Sequence, residues 1–301
     1  MATTNDKAAT SAKHTKALRT VLIFTSIYLI AEVVGGILTG SLALIADAGH
    51  MLTDVAGLAL ALFAIWFGKK KATATHTYGF YRTEILASVI NCLVLFGISI
   101  YILIEAYYRF RNPPEVQSGT MMIVAVIGLG VNIAGMIILR KSSGESLNMK
   151  GAYFEVLSDM LTSIGVIIAG VIMLLTGWWY ADPILSALIG LLILPRTYKL
   201  LMEGVNVLME GTPKDIDLEK LRAAILATEG IAAEHDLHVW TLTSGVNAVS
   251  AHLIPSAAVQ SVADVNAIIK AVKAKLASDF GISHVTLEMH LDEKDYAPNM
   301  V

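Results

Sequence analysis

Two stretches decide the fold: DAGHMLTD at residues 47–54 and GAYFEVLSDMLTS at residues 151–163. Both lie inside long apolar segments, and both place a metal-ligating residue type four positions before an aspartate, on one helical face. These pairs are His50 with Asp54 and Glu155 with Asp159. Each ionisable group inside a membrane-spanning helix costs roughly 2.5–3.5 kcal/mol on insertion scales, so it needs a compensating partner. One imidazole and three carboxylates from two helices predict a four-coordinate site for a divalent cation.

The alternative interpretation is that these groups only hydrogen-bond to one another and lock the packing of the helices. The repeated spacing of metal-ligating residue types favours the metal site over this alternative. Asp47 lies three residues before His50 and shares its face. We expect Asp47 to orient His50 or to attract cations without binding the metal itself.

The composition is that of a membrane protein. The chain has 301 residues, of which 55% are hydrophobic and 16% charged, with a mean hydropathy of +0.64. These values exceed the apolar content of soluble domains. The net charge of −3 gives no reason to expect a nucleic-acid partner. The single cysteine, Cys92, excludes a disulfide framework or a thiolate zinc site within one chain.

The fold class predicted from the hydropathy pattern is an all-α six-helix transmembrane bundle followed by a small cytoplasmic α+β domain. Six apolar segments are each long enough to cross about 30 Å of hydrocarbon. We divide the chain into a disordered cytoplasmic tail, a transmembrane domain and a cytoplasmic metal-binding and dimerisation domain, at residues 1–16, 17–208 and 209–301. The predicted spans are Ala17–Leu38, Leu42–Phe67, Ile85–Tyr108, Thr120–Leu139, Ala152–Thr176 and Pro183–Met202.

The positive charges predict the orientation in the membrane. Lysines and arginines precede span 1 and occupy the loops between spans 2 and 3 and between spans 4 and 5. The opposite loops carry only Arg109 and Arg111. Because basic residues concentrate on the cytoplasmic side, both termini are expected to be cytoplasmic.

The C-terminal segment has the pattern of a soluble domain. An amphipathic helix begins after Asp217, a residue type that caps helices. HDLHVWTLTSG and Val246–Ile254 predict a hairpin, Ser261–Phe280 a second helix, and HVTLEMHLD a third strand. The order α-β-β-α-β predicts a ferredoxin-like α+β domain.

Four motifs together resemble the cation diffusion facilitator family, and most closely its bacterial cobalt–zinc–cadmium resistance branch of zinc efflux proteins. The motifs are SLALIADAGHMLTD in span 2, YGFYRTEILA entering span 3, GAYFEVLSD in span 5 and HDLHVW in the C-terminal domain. The resemblance covers nearly the whole chain. It implies homodimers that export Zn²⁺ or similar ions from the cytosol in exchange for protons. It also implies that His50, Asp54 and Asp159 are ligands of the transported metal.

The resemblance further implies a cytoplasmic metal site near the dimer interface, at His235, His252, His290 and Asp292. His238 and His284 are additional candidates, and structural hydrogen bonds by His235 and His238 beside Trp240 are the alternative.

The chain differs from the family pattern in two places. Many members of the family carry histidine where this chain has Glu155, which puts the metal preference in doubt. Some relatives bind a second metal in the loop between spans 2 and 3, where this chain offers only His76, so solvation of the loop is the simpler interpretation.

The resemblance also places Arg82 and Glu210 at the positions of a charge interlock between the entry to span 3 and the linker after span 6. An ordinary solvated ion pair worth less than about 1 kcal/mol is the alternative.

These observations predict a non-enzymatic, proton-coupled antiporter in the bacterial inner membrane that exports Zn²⁺, with Cd²⁺ and Co²⁺, and confers metal tolerance. The expected partners are a second copy of the chain, membrane lipid, metal ions and protons. Zn²⁺ is expected both as substrate and as regulatory ligand, and other divalent metals are possible. Two other classes are weighed against this one. A membrane metalloenzyme lacks the expected motif and a separate general base. A membrane metal sensor would not need charged residues at mid-membrane.

Overall fold

The computed structural model describes the backbone of residues 4–67, 72–140, 147–259 and 261–290. Side chains are described for the same residues except 4–18, 54, 57–58, 60–67, 147–152 and 154–155. Asp54 and Glu155 are therefore described only as helical backbone, and Asp292 lies outside the described residues.

Six long helices precede the C-terminal domain in the described part of the chain. They are α1 Thr4–Thr39, α2 Leu42–Phe67, α3 Arg82–Arg111, α4 Ser118–Arg140, α5 Leu147–Thr176 and α6 Ala181–Leu208. Five of them contain segments long and apolar enough to cross a membrane, and the described side chains of α2 form a sixth, shorter apolar segment. The sequence and structure therefore agree on a helical membrane domain, since an isolated helix satisfies its own backbone in lipid.

The N-terminal tail differs from the sequence-based expectation. We expected residues 1–16 to be disordered, whereas the backbone of α1 is helical from Thr4. Adding residues to an existing helix is far easier than nucleating a new one. The segment before the first span is rich in alanine and lysine, which are good helix formers. The transmembrane helix can therefore continue into it.

The chain divides into two compact units, and the first consists of Met1–Phe63 with Ile90–Leu201. One of its cores joins α2, α4, α5 and the start of α6 through apolar residues such as Ala43, Met121 and Val166. Helices α1 and α4 approach closely where Tyr28 covers Gly128. A Cβ at that glycine would lie 1.9 Å from the Tyr28 ring, so only glycine permits this contact.

The second unit consists of Ala64–Val89 with Met202–Val301. Its elements follow the predicted order α-β-β-α-β, and the predicted fold class is confirmed. Strand β1 pairs antiparallel with β2, and β2 pairs parallel with β3. The two helices cover one face of this sheet, around buried residues such as Leu221, Val249 and Leu276. The elements are α7 Leu218–Leu226, β1 Ile231–Thr243, β2 Val246–Pro255, α8 Val262–Phe280 and β3 His284–Met289.

Side-chain caps define the ends of both helices in this unit. Asp217 accepts a hydrogen bond from the Lys220 backbone N–H at 3.2 Å, as its sequence position predicts. This bond lowers the pKa of Asp217, so the cap contributes stability above the ordinary aspartate pKa and loses it as the pH falls. Ser261 and Asp264 form a reciprocal capping box at the start of α8, and Gly281 ends that helix with a φ of 68°.

Candidate metal sites

One imidazole on α2 and one carboxylate on α5 lie close together inside the helical unit. His50 Nε2 on α2 lies 3.5 Å from Asp159 Oδ1 on α5, and the two side chains are 12% and 4% exposed. Ionisable groups so deep in apolar helices are costly unless they interact with each other or with a cation. The predicted ligands His50 and Asp159 are thus brought together across 109 residues of chain.

Other buried polar groups surround this pair. Asp47 is 1% exposed, and on α1 Glu32 and Tyr28 are 0% and 2% exposed. Tyr28 and Asp47 are polar neighbours of Glu32, and Asp159 is close enough to interact with it electrostatically. Among the described residues, however, neither Glu32 oxygen makes a hydrogen bond of good geometry. Three acidic groups from three helices therefore converge near His50, and Glu32 is not among the ligands that the sequence predicts.

A neutral hydrogen bond ties the neighbouring turn of α5 to α4. Asn132 Nδ2 donates to Ser163 Oγ at 3.3 Å, and both side chains are buried. Ser163 lies one turn beyond Asp159, so this bond fixes α5 against α4 next to that predicted ligand. It carries no charge and serves to hold the helix.

A second cluster lies on β2 and β3 of the C-terminal domain. His252 Nδ1 is 2.7 Å from His290 Nε2, and the rings stack with centroids 4.8 Å apart. Glu288 lies opposite His252 in the strand register. One ligand atom from each of His252, Glu288 and His290 lies within 4.8 Å of the others. Two imidazoles and a carboxylate are a donor set that suits Zn²⁺.

Strand β1 brings further polar groups to this cluster. Asp236 Oδ2 lies 3.6 Å from His252 Nε2, while Asp236 Oδ1 lies 2.8 Å from His238 Nε2. Asp236 adopts a φ of 52° where the register between β1 and β2 shifts. This left-handed backbone is uncommon for a non-glycine residue, and such outliers cluster at functional sites. His235 pairs with His252 across the ladder, but it is not in the compact three-residue group among the described residues.

The sequence carried part of this information. Glu288 and His290 are two residues apart on a strand and so share a face. Sequence analysis named His290 as a candidate ligand but did not name Glu288. The proximity of Asp236 could not be predicted, because it depends on a bulge in β1.

The loop before α3 contacts the same domain. His76 stacks on Phe80 at 4.9 Å, and its Nδ1 is 3.0 Å from the Thr75 hydroxyl. His284 lies edge-on to Tyr78. A cavity of about 600 Å³ lies between this loop and β1, with His76 and His238 among its lining residues. The His76 ring thus has neighbours that account for it without a metal.

Two polar links join the start of α3 to the rest of this unit. Arg82 Nη2 lies 2.7 Å from Glu210 Oε1, and the side chains are 40% and 62% exposed. Glu84 accepts hydrogen bonds from the hydroxyls of Thr243 and Ser244 at the tip of the β1–β2 hairpin. Sequence analysis predicted the first link and missed the second.

Comparison with known proteins agrees with this architecture. Residues 18–209 match the family profile for the cation efflux transmembrane domain, and residues 213–291 match the profile for the cytoplasmic domain of cation efflux proteins. The chain therefore belongs to the cation diffusion facilitator family of cation efflux proteins. It is a multi-pass membrane protein of the transporter class.

Named relatives extend over most of the chain. The metal cation efflux system protein CzcD of Cupriavidus metallidurans is 48% identical over 276 residues, which are 92% of this chain and 86% of CzcD. The cadmium, cobalt and zinc/H(+)-K(+) antiporter of Bacillus subtilis is 40% identical, covering 93% and 90% of the two chains. The zinc transporter ZitB of Escherichia coli is 40% identical, covering 88% and 84%. The solved metal-bound C-terminal domain of CzcD is 38% identical and covers 25% of this chain and all of its own, with a TM-score of 0.23.

Proposed function

We propose that this protein exports divalent metal cations, Zn²⁺ above all and also Cd²⁺ and Co²⁺, in exchange for protons. The observation that carries the proposal is the buried pair of His50 and Asp159, 3.5 Å apart on two apolar helices. Intramembrane ionisable pairs mark ion pathways and proton relays. Family membership and the names of the relatives, which include zinc, cadmium and cobalt transporters, support the same substrates.

Asp54 and Glu155 complete the proposed transport site. The second and fifth spans of a six-span chain run in opposite directions through the membrane. If His50 and Asp159 lie at the same depth, the residue one turn after His50 and the residue one turn before Asp159 also lie at the same depth as each other. Asp54 and Glu155 occupy those two positions on the helical backbone. The site then offers one nitrogen and three carboxylate groups, which a four-coordinate divalent ion accepts.

Protons drive the release of the metal. Metal binding requires neutral imidazole and ionised carboxylates, so binding is linked to proton release and protonation competes with the metal. The metal enters from the cytosol, and rocking of the helices exposes the site outward, where incoming protons displace it. Moving two positive charges outward against 100 mV costs about 4.6 kcal/mol, which inward proton movement offsets.

The remaining assignments belong to the same proposal. The division into tail, transmembrane domain and cytoplasmic domain follows the boundaries at residues 16 and 208. The positive charges favour cytoplasmic termini, and the bacterial sources of the relatives favour the inner membrane of a bacterium. Two chains form a homodimer through their cytoplasmic domains. The cluster of His252, Glu288 and His290 binds Zn²⁺ as a regulatory ligand, with Asp236 adjoining it and His235 and Asp292 as further candidate ligands.

Purified protein in proteoliposomes tests this function. An imposed pH gradient, with metal and internal pH followed together, should drive Zn²⁺ movement that stops when the gradient is collapsed by an ionophore. Cd²⁺ and Co²⁺ should compete, whereas Mg²⁺, which prefers an octahedral oxygen shell, should not. A rate of Zn²⁺ movement that does not depend on the pH gradient would contradict proton exchange. If intact vesicles that contain folded protein move no Zn²⁺, the assignment as a transporter is contradicted.

A further inference from the structure

A buried aspartate outside the transport site holds the first turn of α2. Asp182, at the start of α6, is 0% exposed. Its carboxylate accepts hydrogen bonds from Ser41 Oγ at 2.7 Å, from the Leu42 N–H at 2.9 Å and from the Ala43 N–H at 3.1 Å. A carboxylate from a helix 140 residues away therefore caps the helix that carries His50.

The cap is nearly complete. The first four N–H groups of any helix lack partners within the helix. Asp182 takes two of them, and Ser41 Oγ accepts a third from the Leu44 N–H at 3.2 Å. Unsatisfied backbone groups are most costly where water is excluded, and Ser41 and Leu44 are 0% exposed. The arrangement thus removes most of the cost of starting a buried helix at this point.

A third helix joins the same junction. Arg109, near the end of α3, donates from Nη1 to the Gly40 carbonyl at 2.5 Å, and the same atom lies 3.7 Å from Asp182 Oδ2. Its Nε also donates to Glu105 one turn earlier on α3, at 2.8 Å. Gly40 has a φ of 72°, so it forms the tight turn from α1 into α2. The start of α2 is therefore tied to both α3 and α6.

Apolar packing continues this junction along α2. Leu42 and Ala46 pack with Ile102 and Ala106 of α3 and with Ile189 of α6, and all are buried. His50 follows Ser41 by nine residues, about 13.5 Å along a rigid helix. A helix transmits a shift of its end along its whole length, so the junction fixes the height and rotation at which His50 meets Asp159.

We infer that Asp182 is a positioning residue for the transport site, acting through the first turn of α2. This inference rests on the proposed function for its consequence, but the geometry of the junction does not depend on it. Asp182 does not bind the metal. Its loss should weaken metal binding because it releases α2, and not only because it lowers stability.

Two substitutions and one control separate these effects. Asp182→Asn leaves one acceptor oxygen and removes the charge facing Arg109, and Ser41→Ala removes one hydroxyl from the same junction. Ser186→Ala is the matched control, since Ser186 is equally buried and, within the described residues, its hydroxyl donates to the Asp182 carbonyl of its own helix, at 2.6 Å, and not to α2. All are made in full-length protein carrying His252→Ala and His290→Ala, so that zinc titration reports the membrane site.

Hydrogen exchange and equilibrium Zn²⁺ binding are then measured on folded protein in detergent. Asp182→Asn should speed exchange of the amides at Leu42–Leu44 and raise the Zn²⁺ dissociation constant about ten-fold, the lower end for losing a group that orients metal ligands. Ser41→Ala should do the same to a smaller degree, and Ser186→Ala should change neither.

Unchanged zinc binding in both junction variants, with faster exchange, would leave Asp182 a structural cap and overturn the inference. Unchanged exchange would overturn it as well, and a parent that binds no Zn²⁺ would overturn both this inference and the proposed site. A parent that binds zinc and responds to these substitutions, yet carries none in vesicles, would contradict only the proposed function.

Discussion

The proposed membrane site and the cluster in the C-terminal domain use the same residue types in different surroundings. The acids differ most, since Asp159 is 4% exposed and Glu288 is 65% exposed, while His50 and His290 are 12% and 16% exposed. In the apolar bundle every ionisable group is costly, so its presence alone is a reason to test it for a function. On a solvated sheet histidines and acids cost little free energy, so only their geometry indicates a metal site. The same donor atoms therefore carry more information in the membrane than outside it.

The largest expected effect is the loss of Zn²⁺ transport when a proposed ligand on α2 or α5 is removed. Asp54→Ala and Asp159→Ala should each reduce Zn²⁺ transport more than about a hundred-fold, because four-coordinate sites tolerate few losses of ligands. Flux in proteoliposomes at matched protein content is the measurement. Thr162→Ala is the control, since the Thr162 hydroxyl donates to the Ser158 carbonyl of its own helix.

Near-normal flux in either aspartate variant would show that the membrane site is not built from both helices. Equal loss in the Thr162 control would point to a general effect on folding of α5.

A smaller effect is expected at the cytoplasmic cluster. His252→Ala with His290→Ala should weaken zinc binding at this cluster at least about ten-fold, comparable to the loss of a supporting group in other sites. Transport should persist, because the membrane ligands remain. Calorimetry of the full-length protein should lose one class of binding, and His284→Ala, an exposed change in β3, should not.

If the double variant binds as much zinc as wild type, the paired histidines are structural. If it loses transport as completely as Asp159→Ala, the division of labour between the two regions is contradicted.

Replacing Glu155 with histidine changes the chemistry of one proposed ligand while keeping a ligand at that position. Glu155→His should keep Zn²⁺ transport within a few-fold, because imidazole suits Zn²⁺, and should narrow the metal range by replacing a hard oxygen ligand. It should also reduce the protons exchanged per metal, since adjacent carboxylates resist joint ionisation and hold protons when the site is empty. Parallel flux of Zn²⁺, Cd²⁺, Co²⁺ and Mn²⁺ with internal pH measures both.

Complete loss of zinc transport in Glu155→His would assign Glu155 a role that imidazole cannot fill, such as carrying a proton. Identical profiles would remove Glu155 from the ligand set.

The smallest effect concerns the exposed pair of Arg82 and Glu210. A double-mutant cycle with Arg82→Ala and Glu210→Ala should give a coupling free energy below about 1 kcal/mol, as exposed ion pairs do. Thermal unfolding at low and high salt measures it, and the coupling should fall as salt rises. A salt-independent coupling of several kcal/mol would show that the pair is shielded in the assembled protein.

The sequence predicted the elements better than their partners. α2 was placed at Leu42–Phe67, the bounds that the structure gives, because its apolar run ends at clear polar flanks. The cap at Asp217 was predicted because a helix-capping residue type precedes an amphipathic helix. Periodicity fixes which face a residue occupies, and this was enough to pair Glu155 with Asp159 on one helix.

Contacts between distant segments could not be predicted in the same way. Glu32 and Asp182 are acids inside apolar spans, and nothing in the neighbouring sequence shows that one lies near Asp47 and the other caps α2. Asp236 reaches His252 through a bulge and a left-handed backbone. These features arise from helix packing and strand register. Both depend on contacts between distant segments, which the local sequence pattern does not show.

X-ray absorption at the zinc edge tests the central claim most directly. The sample is full-length protein carrying His252→Ala and His290→Ala, loaded with one Zn²⁺, so that the metal occupies the membrane site. Scattering from imidazole rings counts the histidine ligands, with metal–ligand distances of about 2.0–2.2 Å for nitrogen and oxygen. We predict one imidazole with oxygen ligands, two imidazoles after Glu155→His, and none after His50→Ala. An imidazole count that ignores both substitutions would contradict a transport site built from α2 and α5.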